Sequence, residues 1–234
     1  MKNKIITILL ILITYVVFGQ TSELESKKIV VGLTFSPDYC YRTLKFNPSE
    51  QWLIDEQNSY QIPKFGFTTG LNAILKFNQS IALEFGIQFS DKGMQTKNIK
   101  VEQADPDQSI PESFHNEWHY YYIDLPVKAN YFILKRNLKL FVSAGISTNI
   151  FLVQKRVKNE FNPDKTSTYF MSEGFNRLNI VVLLGTGIDY YITEKLNLRF
   201  EPIFRYSLTP LNNETIKDYQ YSIGANFGLY YKLN

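Results

Sequence analysis

Two histidines, His115 and His119, stand four residues apart around Asn116, Glu117 and Trp118. On a helix that spacing could present two imidazoles to one zinc ion. The chain holds no other histidine, and Cys40 is its single cysteine. No further histidine and no nearby cysteine completes the set, so the expectation is surface histidines where a loop becomes a strand, and no metal. Asp107, Glu112 and Glu117 crowd the same region with His115, and these four are what an enzyme working on lipid or peptide at a membrane rim would use. A second set of charges is scattered more widely: Glu84, Asp124, Lys128, Asp189, Arg199, Glu201 and Arg205. Carboxylates among cations can do acid–base work. No histidine accompanies this set, and no nucleophile with its base is visible. It is therefore expected to be a structural salt-bridge network, with no catalytic residue and no cofactor.

What must position these groups is clearest at residues 219–233. The odd positions are Tyr219, Tyr221, Ile223, Ala225, Phe227, Leu229, Tyr231 and Leu233; the even ones are Gln220, Ser222, Gly224, Asn226, Gly228, Tyr230 and Lys232. Side chains alternate across a strand, so one face is apolar and the other small or polar. The segment exceeds the ~9–11 residues with which a tilted strand crosses a bilayer. Lipid is the expected neighbour of its apolar face, and a narrow lumen that of the other.

Seven earlier segments repeat the pattern, starting near residues 29, 64, 81, 118, 138, 178 and 196. Matching their apolar faces sets the register. Phe77 pairs with Ile81 around the turn Asn78-Gln79-Ser80, and Ile192 pairs with Leu196 around Thr193-Glu194-Lys195, which brings Asp189 opposite Arg199. A third short turn contains Lys135, Arg136 and Asn137. Between these turns lie long polar segments near 40–62, 92–117, 155–175 and 209–218. Connections thus alternate long and short, as in outer-membrane barrels with short periplasmic turns and longer outer loops. The predicted fold is an all-β, eight-stranded, antiparallel, up-and-down transmembrane β-barrel. A soluble sandwich or barrel gives no reason to sort its loops by side.

Parity then places the seven scattered charges inward, with Phe141, Phe151, Tyr191, Tyr230 and eight glycines. That much bulk predicts a filled lumen. Aromatic residues at 15%, with 16 Tyr and 18 Phe, suit the girdles of a barrel, and a mean hydropathy of -0.19 suits a lipid face diluted by a polar one. Residues 1–19 read as a signal peptide, with Lys2 and Lys4 before an apolar core at 5–18. Residues 20–28 follow as a periplasmic lead and 29–234 as the barrel domain. Without the signal, 23 basic residues face 22 acidic ones, which argues against a nucleic-acid partner. A lone cysteine allows no internal disulfide.

The segment Tyr122-Ile-Asp-Leu-Pro-Val-Lys128, with the glycine-rich Ser222-Ile-Gly-Ala-Asn-Phe-Gly228, resembles the PorT-like outer-membrane β-barrel family of Bacteroidetes. The resemblance covers the chain from about residue 29 onward. It implies the cell outer membrane as location, with outer-membrane lipid and the barrel assembly machinery as partners. A few members are tied to gliding and secretion machines, so the function implied is structural, adhesive or secretion-accessory, exercised through surface loops.

Overall fold

The computed structural model describes residues 28–101, 110–133 and 138–233. The signal segment, the lead up to residue 27, Asp107 and the turn at 135–137 lie outside the described residues. Ten strands form one sheet: β1 (Lys28–Lys45), β2 (Gln61–Lys76), β3 (Ile81–Thr96), β4 (Ile99–Lys100), β5 (Ser113–Phe132), β6 (Leu138–Phe161), β7 (Lys165–Met171), β8 (Leu178–Tyr191), β9 (Leu196–Ser207) and β10 (Lys217–Leu233). Eight of them close a ring in the order β1, β2, β3, β5, β6, β8, β9, β10, back to β1, every pair antiparallel. The expected barrel is the observed one. Closure leaves no unpaired ladder in the ring, which is what a bilayer demands of strands.

Alternation does the sorting. On β10 the inward Ser222, Asn226 and Tyr230 are buried, while Ile223, Phe227 and Leu229 face out with about half their surface exposed. Burying those outward residues in lipid supplies the hydrophobic term that an internal core supplies elsewhere. Aromatics mark both borders of the outer face. Toward the long loops, Phe35 contacts Phe67, Phe67 contacts Phe89 and Phe89 contacts Tyr121, with ring centroids 5.7–6.3 Å apart. Toward the short turns stand the exposed Phe77, Tyr131, Tyr190 and Tyr231.

The two described short turns are set by one side chain each. Asn78 Oδ1 accepts from the amides of Ser80 and Ile81, both at 2.8 Å. Thr193 Oγ1 accepts from those of Lys195 and Leu196. Such residues nucleate turns by capturing nearby backbone donors. Both predicted registers hold: the amide of Phe77 donates to the Ile81 carbonyl, and Asp189 lies opposite Arg199.

The long connections are less loop-like than expected. The segment predicted at 40–62 continues β1 as far as Lys45 and then holds a helix, α1 (Gln51–Tyr60), whose Ile54 is buried. Predicted loop residues at 92–96 and 113–117 belong to β3 and β5, and those at 155–161 and 165–171 form a β6–β7 hairpin. Lys28, expected in the lead, opens β1. Two bulges shift the ladders, one between Pro63 and Phe67 against β3 and one at Leu152 against Tyr121 and Tyr122. The second reverses the parity of β6, so Gln154 and Arg156 follow the inward row that Phe151 occupies.

Candidate functional site

The lumen is layered. Nearest the short turns lies an apolar plug of Val30, Ile74, Ala82, Phe132, Phe141 and Tyr230. Above it comes the charged middle. Toward the long loops Tyr120, Tyr122, Phe151 and Leu211 close over it, with Trp118 and Phe175 packed against them. Glycines make this possible at two points in particular. A Cβ at Gly32 or Gly228 would run into the Tyr230 ring, so that ring fits only because both neighbours lack one.

Five of the seven predicted charges meet in one network. Arg199 donates through Nε and Nη2 to the two oxygens of Asp189 at 2.7 and 2.9 Å, and through Nη1 to Glu84 at 2.7 Å. Glu84 also accepts from Asn130 at 2.8 Å and from the Tyr230 hydroxyl at 3.1 Å. Lys128 donates to Glu201 at 2.7 Å and stands 3.4 Å from Glu84. Glu201 accepts further from Ser143 and Asn226. Every one of these charges is at most 3% exposed. Buried ions persist where opposite charges and hydrogen bonds replace the lost water.

The other two predicted residues form separate ion pairs, each with a partner that the sequence reading left out, and Arg205 touches the network through Asn226, to which it donates at 2.9 Å. Arg205 donates to Asp38 at 2.7 Å, and Asp38 also accepts from Ser36 and Thr68. Asp124 takes Lys92 at 3.0 Å. Arg42, Lys64 and Asp218 are buried charges of the same kind, and Asp91, also buried, belongs to the outward row of β3 beside Phe67 and Tyr121. Arg42, Lys92 and Asp218 all carry on the even, inward parity of their strands, a signal that was present but lay beyond the strand ends expected.

The rim residues are only partly assembled. His115 Nε2 lies 3.3 Å from Glu117, and His119 Nε2 lies 3.4 Å from the other oxygen of the same carboxylate. His119 Nδ1 is also 2.8 Å from Asp91, whose second oxygen takes Lys64 at 3.0 Å. These histidines are strand residues, not loop residues, on the outward row of β5 above the aromatic border. Glu112 is elsewhere, accepting from Asn162. Among the described residues no group of three or more His, Cys, Asp or Glu could hold a metal ion. Further out, Lys158 donates to Glu160 at 2.6 Å, and that bond holds the Glu160 carboxyl below its ordinary range.

A closed ring of eight antiparallel strands, with an apolar exterior between two aromatic borders, defines an integral outer-membrane β-barrel. The chain belongs to the outer membrane protein beta-barrel domain family, whose model matches residues 18–215. Among solved structures it is similar to Neisserial surface protein A, with 15% identity over 88% of this chain and 97% of that one and a TM-score of 0.46. It is also similar to OprG of Pseudomonas aeruginosa, with 10% identity over 89% and 96% and a TM-score of 0.48. The outer membrane protease OmpT of Escherichia coli matches at 8% identity over 92% and 99%, with a TM-score of 0.45. Comparison with curated proteins gives no match.

The layered lumen carries a direct expectation. Cavities beside Lys92 and Arg205 measure about 10 and 20 Å³, each room for about one water. Purified protein in planar bilayers should therefore show no steady conductance, and large reproducible single-channel steps would refute the plug.

Proposed function

We propose that this barrel is a non-catalytic surface scaffold of adhesive or secretion-accessory type. Its working part is the sheet β4–β5–β6–β7, which rises past the membrane on the long-loop side. One observation carries the reading. β5 and β6 run for 20 and 24 residues, about twice the ~9–11 that a tilted strand needs to cross. Their pairing continues to Ser113 opposite Phe161, so the excess length is ordered sheet.

At its margin β7 pairs with β6 on one side only and exposes Tyr169, Phe170 and Met171. Edge strands with unpaired backbone groups and apolar side chains are places where another chain adds on. Basic residues flank the margin at Lys155, Arg156, Lys158 and Lys165. The PorT-like signature at residues 122–128 favours a secretion accessory among the options, and a mature chain starting near Gln20 belongs to the same reading. Outer-membrane lipid, the barrel assembly machinery, and components of a secretion or gliding machine are the partners proposed.

Replacing residues 156–170 with a two-residue turn tests it. Unboiled samples in detergent gels should keep the shifted migration of a folded barrel, while cells lose surface attachment or cargo secretion. Both phenotypes intact, with the truncated protein correctly folded, would sink the proposal. A second reading, hydrolysis at the rim, draws on the 2.8 Å contact between His119 and Asp91. It requires that His119→Ala abolish a measurable turnover of peptide or lipid ester by the purified barrel.

A further inference from the structure

Two small cavities lie in the upper lumen, and Lys92 and Arg205 line both. Their chemistry differs. The smaller, of about 10 Å³, is also lined by Asp124, whose Oδ1 has no hydrogen-bond partner. A bare carboxylate oxygen calls for a donor, and one water supplies it. The larger, of about 20 Å³, has no carboxylate among its described lining residues. The two cations therefore border it while their counter-ions, Asp124 and Asp38, do not.

The groups around this larger cavity have donors to spare. Lys92 Nζ donates to Asp124 at 3.0 Å and lies 5.0 Å from the centre of the Tyr122 ring, and an ammonium has three hydrogens to give. Arg205 donates through Nη1 to Asp38 at 2.7 Å and through Nη2 to Asn226 at 2.9 Å, so its Nε–H is left. Asn149 Oδ1 accepts from Ser147 at 2.6 Å and Gln220 Oε1 accepts from the Tyr122 hydroxyl at 2.9 Å, while the amide nitrogens of both make no hydrogen bond among the described residues. The Ser222 hydroxyl, on a residue 1% exposed, has no partner either. Side chains with unengaged donors thus line one space from β3, β6, β9 and β10.

We infer that the larger cavity is a binding site for one monatomic anion of the halide class, chloride, held by Lys92, Arg205, Asn149, Gln220 and Ser222. A water would fit the same volume, but it brings two donors of its own to a wall already rich in them, whereas an anion accepts from every side. Two cations at the edge of a low-dielectric space strengthen that acceptance. Room for about one water-sized sphere excludes phosphate, sulfate and carboxylate anions. The bound ion joins four strands through one centre and so acts as a staple for the finished lumen. None of these residues belongs to the outer sheet on which the proposed scaffold role rests, so the two readings stand or fall separately.

The test uses the full-length barrel in a zwitterionic detergent, freed of halide by dialysis against sodium gluconate. Chloride exchanged for gluconate at constant ionic strength should raise the unfolding temperature saturably, because gluconate is too large for the cavity. Crystals grown with bromide in place of chloride should show an anomalous-scattering peak between Lys92 and Arg205. S222V puts methyl groups into the space and removes one donor, so apparent chloride affinity should fall about tenfold or more and the bromide peak should vanish. If S222V does not fold, the bromide peak of the parent decides alone. Bromide confined to the protein surface, with only water-like density in the cavity, overturns the site. Equal stability in chloride and gluconate, or an unchanged chloride affinity in folded S222V, overturns it as well.

Discussion

Arg199→Met should lower the stability of the folded barrel by about 3–5 kcal/mol, the usual effect of removing one partner from a buried ion pair. The measurement is the midpoint of urea unfolding in lipid vesicles, followed by the heat-dependent gel shift. Arg199 donates to both oxygens of Asp189 and holds one oxygen of Glu84. Methionine fills a similar volume but leaves two carboxylates short of a cation. Neutralising them as well, in R199M/D189N/E84Q, should recover much of the loss, because replacing a whole buried cluster is far milder than breaking it. A simple exchange, D189R/R199D, should be better than R199D alone yet fall short of the parent, since the new carboxylate at position 199 would face Glu84. Were the exchange no better than the worse single change, the pairing of β8 with β9 would be wrong.

The second large effect is steric. Gly228→Val places branched carbon where the Tyr230 ring lies, at the seam where β10 meets β1. Overpacking costs about 1–3 kcal/mol and more where neighbours cannot move, and this ring is flanked on its other side by Gly32 and tied to Glu84 and Asn72. Folded barrel should fall sharply in outer-membrane fractions. G228V/Y230A frees the space and should fold better than G228V itself, despite the lost hydrogen bonds. Equal yields from the single and double variants would show that the glycine does not serve the ring.

Much of the ring was legible because its two faces meet different solvents. Where lipid lies on one side and a crowded lumen on the other, alternation is strong, and a short turn then fixes register, as at Asp189 and Arg199. The upper strands gave a weaker signal. Beyond the aromatic border polar and charged side chains stand on both faces of the β5–β6 sheet, so His115, Lys155 and Lys158 look like loop residues although they are paired. The partners Arg42, Lys92 and Asp218 were overlooked for a related reason: a charge at the expected end of a strand reads as a terminator, when here it continues the inward row. The bulge at Leu152 has no marker of its own, such as a glycine at that position. The seven predicted charges were recognisable by parity, but their division into a five-membered network and two separate pairs depends on distances across the lumen, between strands far apart in sequence.

The seam also sets a kinetic order. Ladders such as β2–β3 and β8–β9 join neighbours in the chain and can form as soon as both strands exist, whereas Ile29 must wait for Leu233. Pairing of such distant segments is slow because the intervening chain must first be brought together. Until that moment β1 and β10 each carry an open edge, and Tyr230 has no Gly32 to rest against. The interval between the first hairpin and the closing ladder is therefore when this chain is most exposed to mispairing with another copy, and a helper that shields β1 would shorten the risk without touching the finished barrel.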